Sequence, residues 1–204
     1  MAIKNVVFDF GGVLLDWNPR YVYKDVFKDD AKMEFFLENI CTNEWNAQMD
    51  KGKPFEEAIL ERSAIYPQYK DEIALYYTAW EQMLKGEIKE GIDIFNKVLA
   101  SGRFKVYGLT NWSAQTFPIA YSRYKFLEKF EGIVVSGEEQ MIKPQKDIFN
   151  VLFKRYNLVP QECVFIDDNK DNINTCIQLG MHGIHLTSYK EAKDKLSKLL
   201  DLAL

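Results

Sequence analysis

The chain has 204 residues, 47% of them apolar, enough to bury one sizeable core but short of two independent domains. Its 30 acidic and 26 basic residues leave a net charge of -4 with the signs interspersed, which argues against a nucleic-acid-binding stripe or a polybasic membrane anchor. Cys41, Cys163 and Cys176 are widely spaced without a C-x-x-C pair, and no signal-peptide pattern or membrane-length apolar run occurs, so a cytoplasmic protein without disulfides or zinc is expected.

The first element, "NVVFDF" at 5–10, is a continuous apolar run of the kind buried on both sheet faces, yet it carries a carboxylate at Asp9. A buried, unpaired carboxylate costs several kcal/mol, so the rest of the chain is expected to bring a cation or several donors to it. From Asp16 to about Leu84 no strand-like run occurs. Aromatic residues, Lys and Glu recur there at helical periods, with breaks near Pro54 and Pro67, which predicts an inserted helical module. The aromatic crowding at 21–36 and 66–80 is read as core.

A helix is predicted over 90–101, with Ile92, Phe95, Val98 and Leu99 on one face. Strand-like runs follow at 104–109, 132–136 and 163–167, with a weaker one at 183–186. Helical stretches at 145–156 and 170–180 lie between the later runs. Alternating strands and helices predict an α/β fold with a parallel sheet. His182 and His185, around the last strand, are read as structural.

The C-terminal ends of parallel strands share one edge, and ligands bind in the crevice there. Asp9 ends the first run, Thr110 the second, and the adjacent Asp167 and Asp168 end "VFIDDN". Two neighbouring acids after an apolar strand repel one another unless a cation is bound. Lys143, ahead of Pro144 and a helical pattern, can supply positive charge to the same edge. Nucleophile, metal carboxylates, ammonium and hydroxyl together compose a phosphoryl-transfer site.

Asp9 in "FDFGGV", Thr110 in "GLTN", Lys143 in "IKP" and the acids of "IDDNKDN" stand in an order and spacing that resemble the four motifs of the haloacid dehalogenase-like hydrolase superfamily. "DFGGVLLDWNPR" and "EWNAQMDKGKPFEEAI" further resemble the branch containing sugar-1-phosphate phosphatases and the N-terminal phosphatase domain of soluble epoxide hydrolases. The resemblance implies a Rossmann-like core over 1–15 and 85–204, a helical cap over 16–84, and a Mg²⁺-dependent phosphatase. Its substrate would be a small phosphorylated metabolite such as a sugar phosphate, hydrolysed through an aspartyl-phosphate.

By the same resemblance Asp9 would be nucleophile and metal ligand, Gly11 a ligand through its carbonyl, and Asp168 the second metal carboxylate, with Asp167 acting directly or through water. Thr110 and the amide of Asn111 would hold phosphoryl oxygens, and Lys143 would neutralise charge. Asn172 stands where many relatives have an Asp. Gly11 departs from the pattern: superfamily phosphatases usually place a second Asp there as general acid and base. Asp16 is the first alternative source of that proton. Two other readings compete: a metal-free 2-haloacid dehalogenase, which needs no such acid but has no use for Asp168, and a binding protein on a decayed hydrolase scaffold.

Overall fold

The computed structural model describes residues 2–204. Five parallel strands make the main sheet: β1 (Asn5–Phe8), β4 (Lys105–Thr110), β5 (Gly132–Val135), β6 (Cys163–Asp167) and β7 (His182–His185), in the order β5-β4-β1-β6-β7. The central position of β1 places its end between the ends of β4 and β6. Phe8 pairs with both Gly108 and Ile166.

Successive residues of β1 serve opposite faces, as the strand period requires. Val6 and Phe8 pack with Phe95 and Val98 of α7 (Lys89–Ala100) and Leu196 of α12 (Tyr189–Leu200). Val7 packs with Phe149 and Leu152 of α10 (Lys146–Tyr156) and Cys176 of α11 (Lys170–Gln178). Helices on both faces leave β1 buried throughout, which explains its unbroken apolar sequence.

Between β1 and α7 the chain is helical: α1 (Arg20–Phe27), α2 (Asp30–Asn39), α3 (Asn43–Asp50), α4 (Phe55–Ile65), α5 (Lys70–Thr78) and α6 (Trp80–Met83). Asp29 caps α2 through the amides of Ala31 and Lys32, and Thr42 caps α3 through the amide of Trp45. Tyr23, Phe36 and Tyr76, all fully buried, form the interior of this module, as expected of its aromatic crowding. The remaining helices are the short α8 (Phe117–Arg123) and α9 (Ser136–Glu139). No helix among the described residues is long and apolar enough to cross a membrane.

Two features depart from expectation. The module begins and ends in strands, β2 (Leu15–Trp17) and β3 (Leu84–Glu87), which pair antiparallel with Asp16 opposite Gly86. Three and four residues carrying Asp, Lys, Gly and Glu give too short a run for a periodicity signal. In α7 the buried face is Gly91, Ile94, Phe95 and Val98, while Ile92 and Leu99 are only partly covered. Gly91 has no side chain for a hydrophobic pattern to register, yet it faces inward because the helix presses there on the loop after β1.

A Cβ at Gly91 would lie 2.0 Å from the carbonyl oxygen of Val13, a backbone atom with no freedom to swing aside. Gly91→Ala should therefore push α7 off the loop that carries Asp9. The expected cost is about 2 kcal/mol in urea unfolding, from overpacking alone. An unchanged midpoint would mean that the helix and loop are less tightly seated than the structure has them.

Candidate active site

The chain leaves β1 directly into Asp9, whose amide donates to the Ile166 carbonyl at 2.9 Å and so ties the turn to β6. Asp9 Oδ1 accepts from the Phe10 amide at 2.7 Å and lies 2.9 Å from Lys143 Nζ. The same ammonium donates to Asp167 Oδ2 at 2.7 Å. Lys143 is thus a buried cation between two carboxylates, its side chain 1% exposed.

The side chain of Asn111, one residue beyond β4, holds the Lys143 backbone: its Oδ1 accepts from the Lys143 amide at 2.8 Å and its Nδ2 donates to the Lys143 carbonyl at 3.0 Å. Asp167 is fully buried and its oxygens are engaged. Oδ1 accepts from the Asn169 amide at 2.7 Å, and Asn172 Nδ2 lies 3.0 Å from each oxygen. An Asp in place of Asn172 would set a third carboxylate against Asp167, whereas the amide donates to it.

Asp9, Asp167 and Asp168 each offer an oxygen within 4.8 Å of the others. Gly12, at φ +72°, lets the loop pass beneath Asp168, since a Cβ there would lie 2.5 Å from Asp168 Oδ2. Tyr189 of α12 fixes that loop through its hydroxyl, 3.1 Å from the Gly12 carbonyl and 2.9 Å from that of Val13. His185, read from the sequence as structural, has Nε2 2.9 Å from the Asp168 carbonyl and so supports the backbone at the edge of the site.

Burial pushes the Asp9 carboxyl up to about 7 against the attraction of Lys143, and the charges of Asp167 and Asp168 push the same way. Asp168 is also raised, by burial and then by Asp167. Burial alone would strip the proton from Lys143, but Asp167 and Asp9 outweigh it and hold the ammonium charged. Three clustered carboxylates against one ammonium leave an excess of negative charge. A divalent cation bound by Asp9 and Asp168 would fit that donor set of hard oxygens.

Beside these groups opens a cavity of about 380 Å³. Asp9, Gly11, Gly12, Asn111, Lys143 and Asp168 form its floor, and Trp17, Asn46, Asp50, Phe55, Trp80 and Trp112 are among its walls. Thr110 is buried beside the cavity rather than lining it, and its hydroxyl has no hydrogen-bond partner among the described residues. Asp16 is not part of the lining; its Oδ2 accepts from the Tyr21 hydroxyl at 2.7 Å. Asp50 and Asn46 of α3 lie within the "EWNAQMDKGKPFEEAI" stretch singled out by resemblance, but an acid and an amide on a polar helix point to no role until the helix is placed over the sheet edge.

The family model described as Haloacid dehalogenase-like hydrolase matches residues 6–186, which takes in every strand of the sheet except the start of β1. The chain belongs to this family. It is 28% identical over 191 residues to a sesquiterpene phosphatase of Aspergillus oryzae, covering 91% of each chain. It is 24% identical over 219 residues to a D-ribitol-5-phosphate phosphatase of Bacteroides thetaiotaomicron, covering 98% of this chain and 99% of that one. A HAD family enzyme of Bacteroides thetaiotaomicron, crystallised with magnesium and inorganic phosphate, shares the fold with a TM-score of 0.67 at 23% identity, over 90% of this chain and 94% of that one.

The charge excess has a measurable consequence in metal-free protein. Because the folded-state acidity of Asp9 is weakened from 3.8 to about 7, its ionisation counts against the fold, and stability attributable to it is lost as pH rises between those values. Asp9→Asn removes that loss. With chelator present the variant should melt a few degrees above wild type at about pH 8 and gain nothing near pH 4. A Tm difference independent of pH would contradict the charge assignment.

Proposed function

We propose that this hydrolase is a phosphatase acting on a small phosphate ester through an aspartyl-phosphate on Asp9, with Mg²⁺ as its metal. The observation that carries the reading is the convergence of Asp9, Lys143, Asp167 and Asp168 from three separate strand ends and loops, with more negative charge than the chain itself neutralises. Asp9, Asp168 and the Gly11 carbonyl would hold the metal. When bound, the ion supplies charge compensation that lets an anionic nucleophile approach an anionic phosphoryl group.

The chain's own groups do the rest. Lys143 holds Asp9 Oδ1 and opposes the burial that favours its protonation, so that a metal bound beside it would complete the charge balance for attack on phosphorus. Asp167, expected from the sequence to meet the metal directly or through water, also accepts from Lys143, Asn172 and the Asn169 amide, so it would fix the ammonium as well as border the metal position. The Asn111 amide, at the cavity, would donate to the phosphoryl oxygens, over which the negative charge is spread in the transition state, and the unpartnered Thr110 hydroxyl, buried beside the cavity, would be a second donor. Residues 16–84 form the cap, joined to the core by the β2–β3 ribbon and excluding water from the site.

The cavity walls favour a hydroxylated substrate. Trp17, Trp80 and Trp112 offer flat apolar faces, while Asn46, Ser113 and Thr116 offer hydrogen bonds to hydroxyls. That mixture suits a sugar phosphate or sugar-alcohol phosphate better than a wholly hydrocarbon chain. A dehalogenase would gain nothing from Asp168 and would be burdened by its charge.

Incubation with sugar, sugar-alcohol, prenyl and aryl phosphates, with and without Mg²⁺, and with a 2-chloro acid tests the reading. Phosphate release dependent on Mg²⁺, fastest for a polyol or sugar ester, is expected; halide release would select the dehalogenase. Asp9→Asn should lower kcat by at least about a thousandfold with the fold intact by circular dichroism, since an amide cannot attack phosphorus. Mg²⁺ should raise the Tm of wild type more at about pH 8 than near pH 5, because its ligands must be ionised to bind.

A further inference from the structure

The phosphatase reading leaves one chemical role unfilled. An ester whose leaving group is an ordinary alcohol needs a proton at departure, and the aspartyl-phosphate needs a base to activate water. Gly11 offers neither. We propose that Asp50, at the C-terminal end of cap helix α3, is the general acid and base of this enzyme.

The placement of Asp50 is built rather than incidental. Asp50 lines the cavity that holds Asp9 and Lys143. Asn46, one turn earlier, donates Nδ2 to Asp50 Oδ2 at 2.9 Å, which orients the carboxyl. The backbone is pinned to the core: Ser136 Oγ donates to the Asp50 carbonyl and accepts from the Trp112 amide at 2.8 Å. Two residues on, Gly52 at φ +105° brings its backbone against the core, where a Cβ would lie 3.0 Å from the Gly137 carbonyl oxygen. Gly137 in turn sits where a Cβ would lie 2.4 Å from the Ala114 amide. Two glycines thus let the end of α3 dock backbone to backbone over the loop that follows Thr110.

The electrostatic setting suits the task. Burial pushes the Asp50 carboxyl up to about 7, opposed by the charge of Lys143 and by the Ser113 amide. From the cap side the facing titratable group is Tyr76, whose own acidity is weakened chiefly by burial and in part by Cys41 and Asp50. A carboxyl poised near neutrality can both give and take a proton at working pH.

The steps balance. Asp9 attacks phosphorus, the bond from phosphorus to the ester oxygen breaks, and the Asp50 proton goes to that oxygen, releasing the alcohol and leaving Asp50 ionised. Asp50 then takes a proton from water as the water oxygen attacks phosphorus. The bond from phosphorus to Asp9 breaks, inorganic phosphate departs, and both carboxyls return to their starting states.

This inference rests on the phosphatase reading, and the test separates the two. Single-turnover and steady-state rates with Mg²⁺ are measured for wild type, Asp50→Asn and the double variant Gly11→Asp/Asp50→Asn. The substrates are an alkyl phosphate and nitrophenyl phosphate. Asn can keep the hydrogen bond with Asn46 by rotating its amide, so the fold should hold.

In Asp50→Asn, alcohol release from the alkyl ester should fall by about a hundredfold or more, whereas nitrophenol, a good leaving group, should still be released in a first-turnover burst. Slow steady-state turnover should follow, with phosphate trapped on Asp9 and detectable as added mass. The double variant should regain alkyl ester cleavage. A Cβ at Gly11 would meet no atom within 4 Å, and the backbone there is not left-handed, so an Asp enters with neither clash nor strain.

Equal losses on both esters without a burst, or a raised KM at unchanged kcat, would make Asp50 a substrate-holding residue and overturn the proposal. If Asp50→Asn does not fold, the wild-type enzyme decides. Its alkyl ester rate should fall above about pH 7 while the nitrophenyl burst does not, and parallel profiles would overturn the proposal. If wild type releases no phosphate from any ester, the phosphatase reading fails and the role of Asp50 fails with it.

Discussion

The buried ammonium of Lys143 is the constraint on which the site depends. Fully desolvated, it would lose its proton, and it keeps it only because Asp9 and Asp167 each lie within 3 Å. Those carboxylates come from β1 and β6, which are neighbours only because β1 is central in the sheet. The ammonium comes from the segment after β5, which reaches the site because Asn111, just past β4, holds its backbone at both amide and carbonyl. Four strands therefore have to be in register before one salt bridge forms. Removing Asp167, the fully buried partner, would leave the ammonium with only the reluctant Asp9 beside it, a loss typically worth about 3–5 kcal/mol, which binds the integrity of the fold to that of the site.

The same charges explain why the chain tolerates a site that counts against its own stability. Asp9 and Asp168 resist ionisation when no cation balances them. Binding free energy from a cation would be recovered as folding free energy, so the unfavourable cluster of the free protein becomes favourable in the loaded one. Gly12 is part of this arrangement: its left-handed backbone suits glycine, and a Cβ there would displace the Asp168 carboxylate from its place beside Asp9.

Much of this was legible in the sequence because strand ends are. A continuous apolar run terminating in Asp or a pair of acids marks both a buried strand and the edge where its polar end must lie, so the sequence alone puts Asp9 and Asp167 at one edge, where the structure has them. Residues that act from elsewhere left no such mark. Asn111 clamps Lys143 across 32 positions, and His185 meets the Asp168 backbone from the last strand. The β2–β3 ribbon is too short for periodicity, and Gly91 faces the core by virtue of having nothing to bury. The role of Asp50 is hidden for a related reason: its segment stands out by resemblance, but a helix that carries polar residues toward a cavity reads from sequence alone as a solvated face.

Placing the proton donor on the cap rather than on the nucleophile loop changes what closure does. With an acid beside Asp9, the chemical groups would be complete in the core alone, and the cap would serve substrate choice and water exclusion. If the donor is at the end of α3, as proposed, the site would be complete only while residues 16–84 are seated as they are in this structure. The seating contacts are specific: Ser136 on the Asp50 carbonyl, Gly52 against Gly137, and Gln115 Oε1 accepting from the Phe55 amide at 2.7 Å. That last bond caps α4 from the core, where Pro54 has no side-chain oxygen to do so from within the helix. On that proposal, docking of residues 16–84, capping of α4 and delivery of the proton would be one event, and an enzyme opened to water would lack the base to activate it against an aspartyl-phosphate.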